Sequence, residues 1–375
     1  MRSARCRACA ALLRRAPRVV ALVVVGMAPT GCGPASSGLD ASGPRSDAGP
    51  DAGQVVMADT GSALTDAGSV DAAGVSAGAY FTYGFEDRVY RIEARAGAAP
   101  EDVSARLERF GMGSRDRWLV PSASGAWLVL STDRLSCPSV GECLAIARAD
   151  LATLEAVRPA GEDVGLEGTP AVDDAGGLVI YASGGGPHMR DLWATRRGPS
   201  GWSAATLLTA SSPRAFNGSP ALSHDGRRVL FDCGASPYPE GGDSDACEVG
   251  VDASGFHVLV RPDTLPGTRE AFVQFPHDAV DGVLFQGSWP IGAEAPETIW
   301  LLPTGGGAPT PIGRALSNAV SPCGLRDGRW GALWLGRPEN ATGAHELTLL
   351  TRDGAIDAVL TPGIDVTDIG IGCGG

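Results

Sequence analysis

The chain has no lysine; all 30 of its basic residues are arginine. That excludes a Schiff-base lysine, a P-loop lysine and a Ser-x-x-Lys nucleophile, because each needs an ammonium group that titrates or pairs with phosphate. Charge is scarce at 19%, while 53 Gly and 27 Pro punctuate the sequence. Long helices call for Ala, Leu, Glu and Arg without such breaks. Short strands joined by tight turns tolerate them. Histidine is nearly absent too, at five in 375 residues, so a metal centre built mainly from imidazoles has little material.

What is there begins with an export signal. Six arginines and no acid fall within residues 1–31, followed by the apolar run Val19–Ala28. That run is too short to cross a bilayer as a helix, which takes about 20 residues, and it suits a signal segment. With those arginines removed, the net charge of −13 becomes −19. Such a surface repels phosphate backbones and argues against nucleic acid as a partner. From residue 32 to 77 the chain is mostly Ala, Gly, Ser, Asp and Pro, a composition that cannot bury enough apolar surface to offset its ordering entropy and reads as a tether.

Residues 78–375 repeat. The clearest unit runs Gly218-Ser219-Pro220-Ala221-Leu222-Ser223-His224-Asp225-Gly226 and continues into Val229-Leu230-Phe231. It spells strand, Asp-Gly turn, strand. Related turns centre on Gly125, Gly176, Gly282 and Gly328, at intervals of 51, 50, 56 and 46 residues. A period near 50 with two hairpins per unit predicts the blades of a β-propeller. Five units are complete. Three strand candidates in Tyr80–Phe110 and one in Asp365–Ile371 make up a sixth. The expected fold is all-β: six four-stranded antiparallel blades, with strands from both termini sharing one blade and closing the ring. Val103, Leu107 and Phe110 also fit a short helix after Pro100, but the blade requires a strand there.

Two resemblances follow. Pro29-Thr30-Gly31-Cys32 resembles a lipobox, which implies cleavage after Gly31, a lipid on Cys32 and, with Gly33 next, delivery to the outer membrane. The repeat resembles that of TolB-type six-bladed propellers, Ser-Pro-x-x-Ser-x-Asp-Gly followed by three apolar residues, which residues 219–226 match throughout. The resemblance implies the fold for about 300 residues. It does not extend to the role of TolB, whose separate N-terminal α/β domain has no counterpart here, and propellers host many unrelated functions.

Six cysteines follow Cys32. Their even number in an exported chain predicts disulfides, and propeller geometry favours Cys137 with Cys143, Cys233 with Cys247, and Cys323 with Cys373. The last two lie one repeat apart and would latch the ring. No Cys-x-x-Cys pair follows Cys32, so no metal is expected. His277 and Asp278 fall on an innermost strand, where adjacent His and Asp can form a base or a metal ligand. The equivalent positions in other units are Ala171, Ala221 and Cys323. His188, His224, His257 and His345 read as surface residues. The eight tryptophans read as packing between blades. No Gly-x-Ser-x-Gly nucleophile elbow and no appended hydrolase domain is expected, and neither a catalytic set nor a cofactor is expected.

The expectation is a monomeric, lipid-anchored envelope protein whose propeller binds a protein, peptide or glycan. The alternative is a polysaccharide lyase or hydrolase working in the axial channel. Acids or histidines converging on one mouth favour the enzyme; small and apolar channel walls favour the binder.

Overall fold

The computed structural model describes residues 78–113, 115–137, 142–159, 168–235, 244–261, 273–288, 297–312, 319–335, 343–366 and 368–375. The signal segment, Cys32, the whole tether and Trp289 lie outside the described residues. No helix among the described residues is long and apolar enough to cross a membrane.

Each repeat folds into an antiparallel sheet. Blade I comprises Asp116–Pro121, Trp127–Thr132, Cys143–Arg148 and Leu154–Ala156. Blade II has Ala171–Val172, Leu178–Ser183 and Asp191–Gly198, edged by Gly201–Trp202 and Thr206–Leu207. Blade III has Phe216–Leu222, Arg228–Gly234, Ser244–Gly250 and His257–Val260; blade IV has Val273–Ala279, Gly282–Ser288, Glu297–Pro303 and Thr310–Pro311. Blade V has Ala319–Gly324, Trp330–Trp334, Glu346–Leu350 and Ile356–Val359. Blade VI takes its innermost strand, Asp368–Gly374, from the C-terminus and Tyr80–Phe85, Arg88–Glu93 and Glu101–Asp102 from the N-terminus. Its innermost strand packs beside those of blades V and I, so the ring closes.

The repeat motif has a chemical reason at each position. Ser223 Oγ donates to Asp225 Oδ1 (2.6 Å) and accepts from Arg228 N; Asp225 Oδ1 also accepts from Arg227 N, and the Gly226 amide donates to Ser223 O. Gly226 closes the turn at φ 68°, where a Cβ is strained. The proline sits at a β-bulge. The ladder of the innermost strand skips register between Gly218 and Ala221, Gln274 and His277, and Val320 and Cys323. Proline tolerates that position because it has no amide to leave unpaired. The residue before each proline takes a left-handed φ: 46° at Ser219, 49° at Phe275 and 51° at Ser321.

Six apolar clusters fill the six blade interfaces. Val129, Ile146, Val179 and Trp202 join blades I and II; Ile180, Leu192, Val229 and Phe231 join II and III. Val260, Phe285 and Trp300 join III and IV, and Leu284, Trp330 and Trp334 join IV and V. Phe81, Ile92, Leu333 and Leu347 join V and VI; Tyr80, Leu107, Leu128 and Leu130 join VI and I. The described tryptophans in these clusters do pack between blades.

One element departs from expectation. The outer strand of blade VI lasts only for Glu101–Asp102, and Val103–Leu107 is helix α1, followed by a 3-10 turn at Glu108–Phe110. Asp102 caps it, its Oδ1 accepting from Ala105 N at 2.9 Å. Val103 and Leu107, one helical turn apart, are fully buried against blade I. The blade needed an edge, and two strand residues plus a buried helix face supply it.

The three disulfides join Cys137 to Cys143, Cys233 to Cys247, and Cys323 to Cys373, with Cα separations of 5.6, 6.0 and 5.9 Å. The last ties the innermost strands of blades V and VI.

Candidate functional site

The innermost strands surround an axial cavity of about 310 Å³ that opens where the first-to-second strand turns gather. Each of the six blades contributes to its wall. Val120 and Pro121 come from blade I, Ala171 from II, Pro220 and Ala221 from III, Pro276 and His277 from IV, Pro322 from V, and Ile371 and Cys373 from VI. The bulges turn prolines and small side chains toward the axis, while Asp173, Asp174, Asp225, His224, His277 and the hydroxyls of Ser219, Ser223 and Ser321 bring polar and ionisable groups to the wall and mouth.

The polar groups that reach the cavity are held by the fold. His277 is on the innermost strand of blade IV, as expected, but it does not pair with the carboxylate of Asp278. Neighbouring strand residues point to opposite faces. The His277 ring turns to blade V: Nδ1 is 3.0 Å from the backbone carbonyl of Asp278 and 3.3 Å from Gly324 N, and Nε2 is 3.4 Å from Cys323 Sγ. Desolvation pushes its pKa below the ordinary histidine value. The Asp278 carboxylate faces blade III, where Oδ2 accepts from His224 N at 2.7 Å and stands 3.6 Å from His224 Nδ1. The His277 ring and the Asp278 carboxylate therefore face different blades and do not meet.

The remaining histidines lie at or near the surface, three of them half-buried. Only His257 is exposed. His188 Nδ1 lies 2.6 Å from the fully buried Asp191, and His345 Nδ1 lies 3.2 Å from Asp365. Sequence position alone hid these partners.

Asp174, in the turn of blade II, marks the mouth. Its Oδ1 accepts from Ser124 N at 2.5 Å, and Oδ2 pairs with Arg326 from blade V. Arg326 also donates to the carbonyl of His224 in blade III. Blades II and V are opposite in a ring of six, so this side chain straps the mouth across its diameter. Partial burial alone would raise the pKa of Asp174; the Ser124 and Arg326 donors outweigh it and leave the carboxyl below its ordinary value. The strap has no sequence signature, because its partners are 152 residues apart.

The sequence also spells Gly74-Val75-Ser76-Ala77-Gly78, the spacing of a nucleophile elbow. The elbow works only between a strand and a helix, and residues 74–77 lie outside the described residues.

No family model matches the sequence, and no curated protein does. Solved structures do resemble it. Hydrazine synthase from Kuenenia stuttgartiensis is similar at a TM-score of 0.52 and 11% identity, over 75% of this chain and 44% of that one. TolB from Acinetobacter baumannii is similar at 0.47 and 14%, over 65% of this chain and 54% of its own. A puromycin-hydrolysing peptidase from Mycobacterium tuberculosis is similar at 0.45 and 11%, over 78% and 44%. The chain thus spans about half the length of these proteins. Such likeness speaks to architecture and not to activity. By its own strand pairing, the chain is a six-bladed β-propeller built from a TolB-like repeat.

Proposed function

We propose that this protein is an exported, lipid-anchored envelope protein that uses the turn mouth of its propeller to bind a protein, peptide or glycan. One observation carries the reading. Acids do reach the mouth of the axial cavity, but each is already engaged, Asp174 by the Ser124 amide and Arg326, Asp225 by Ser223 and the Arg227 amide, and Asp173 by the Gly177 and Leu178 amides, and between them the wall is proline and alanine. A site for acid–base chemistry needs a free group within reach of substrate. A recognition site needs shape, an apolar floor and a few polar groups at the rim. This cavity has the second character. The lipobox-like Pro29–Cys32 and the tether behind it support attachment to a membrane facing the envelope.

A photoreactive residue at Ala175, an exposed position on the cavity rim, tests the reading in cells. Crosslinks to a discrete envelope partner are expected from residue 175 and not from Met112, which is fully exposed elsewhere. The captured partner should bind the purified protein, and Ala175→Trp should abolish that binding. Absence of crosslinks together with cleavage of an envelope polysaccharide would overturn the reading in favour of the enzyme. Intact-mass analysis of the mature protein tests the anchor. A diacylglycerol-modified N-terminus at Cys32 is expected, and an unmodified N-terminus elsewhere removes the anchor from the proposal.

A further inference from the structure

The disulfide that latches the ring lies within a larger donor set. His277 Nε2 is 3.4 Å from Cys323 Sγ and 3.9 Å from Cys373 Sγ. The three donor atoms lie within 4.8 Å of one another. Each comes from a different innermost strand, in blades IV, V and VI. Hydrogen-bonded ladders hold those strands, so the donors stand on rigid elements and not on loops.

The spacing fits a tetrahedral ion. With bonds of about 2.3 Å to sulfur and about 2.0 Å to nitrogen, an N and an S ligand of zinc sit about 3.5 Å apart, and two sulfurs about 3.8 Å apart. The two N···S distances in the protein bracket the first value. Only the sulfurs must separate, from a bond to a contact, while their Cα atoms start 5.9 Å apart. The second shell is in place as well. His277 Nδ1 stands between the Asp278 carbonyl at 3.0 Å and the Gly324 amide at 3.3 Å; metal binding selects the tautomer in which Nδ1 donates to the carbonyl and the Nε2 lone pair faces the sulfurs. His277 and Cys373 both line the axial cavity, so a fourth coordination position opens into it.

We propose that the reduced latch is a metal site, in which His277 Nε2, Cys323 Sγ and Cys373 Sγ bind one Zn²⁺ with the fourth position open to the axial cavity. The electron balance is simple. A dithiol reductant passes two electrons and two protons to the Cys323–Cys373 bond and becomes a disulfide itself. Zinc binding then releases the two thiol protons to solvent. Blades V and VI are tied in either state, covalently when oxidised and through the ion when reduced; the ion also ties in blade IV. Two thiolates and one imidazole suit zinc and disfavour calcium or magnesium, which take oxygen ligands.

The test uses the full mature protein with Cys137, Cys143, Cys233 and Cys247 replaced by serine. It is reduced with a phosphine, freed of reductant under nitrogen and titrated with Co²⁺ and then Zn²⁺. One equivalent of cobalt should bind with the visible bands of a tetrahedral thiolate site, and zinc should displace it. His277→Ala should weaken zinc by more than about tenfold. Cys323→Ser with Cys373→Ser, or the oxidised protein, should bind none. If the four serines prevent folding, the wild-type protein and His277→Ala are reduced and compared directly. Loss of one tight equivalent in the variant supports the site. Equal stoichiometry and affinity overturn it, as does unfolding of the propeller on reduction at saturating zinc.

Discussion

The two ends of the propeller handle charge in opposite ways. Where the innermost strands begin, one ion pair is fully buried within its blade. Arg134 and Asp116 of blade I are 2% and 1% exposed. Arg134 Nε contacts both carboxylate oxygens at 3.0 Å, Nη2 donates at 2.7 Å and Nη1 reaches the carbonyl of Gly111, while Thr132 donates to the same carboxylate. At the turn end, two exposed ion pairs join different blades. Arg326 and Asp174 are 39% and 37% exposed, Arg352 and Asp281 63% and 38%. A buried charge must have its hydrogen-bonding capacity filled or the fold loses stability. An exposed pair gains little and opens easily. The buried pair is therefore costly to break, and the exposed pairs are not.

Breaking a pair at each end tests this directly. Arg134→Leu leaves the Asp116 carboxylate buried without its partner and should cost about 3–5 kcal/mol. Arg352→Ala should cost less than about 1 kcal/mol. Denaturant midpoints of the two variants measure the contrast, and equal losses would erase it. Removing the latch should cost nearly as much as the first. Its 50-residue loop gives about 4 kcal/mol in the entropic account, against about 3 for Cys233–Cys247 and about 2 for Cys137–Cys143. Paired serine variants should follow that order. A flat series would place the value of the latch in local packing and not in closing the ring.

Asp232 gives a smaller effect with a definite sign. It lies on the second strand of blade III toward the end where the innermost strands begin, and its Oδ1 is buried without a partner. Burial raises its pKa above the ordinary carboxylate value, against a weaker opposing effect of Ser219. The folded state thus keeps a proton that the unfolded state releases. The stability this group provides is complete below its unfolded pKa and is lost as pH climbs through its folded one. Asp232→Asn should therefore stabilise the protein at neutral pH by about 1 kcal/mol. The gain should shrink as the pH falls toward 4. A gain that does not change with pH would assign the effect to shape alone.

The ring was legible because its signals are local and repeated. Ser223, Asp225 and Gly226 state their turn chemistry within four residues, and five turns at a period near 50 count the blades. The cysteines followed, since 50 residues is one blade. What failed had a physical cause in each case. The Val103/Leu107 spacing and the Asp102 cap spell helix α1, but the closing blade also calls for an edge strand there, and two residues suffice to supply it. His277 and Asp278 adjoin in sequence, and the strand turns them to opposite faces. The His277, Cys323 and Cys373 cluster has no local signature, because its members lie about one repeat apart. Arg326 could not be assigned at all, because no local pattern says which blades face each other across the axis.

That strap carries the smallest stability effect and the sharpest consequence. Arg326→Ala should shift the unfolding midpoint by less than about 0.5 kcal/mol, since both partners are more than a third exposed. It should nevertheless open the mouth, because the guanidinium is the group that crosses it from blade V to blade II. Cys373 lines the cavity beneath, so the rate at which a small phosphine reduces the Cys323–Cys373 bond reports access from this side. The rate should rise several-fold in Arg326→Ala and remain unchanged in Arg352→Ala, whose ion pair joins neighbouring blades and does not cross the axis. An unchanged rate in both would mean that reductant enters elsewhere and that the strap does not gate the cavity. A rise in both would mean that loosening any exposed pair frees the turn end, so that its mobility is shared among the blades and not set by the one side chain that spans them.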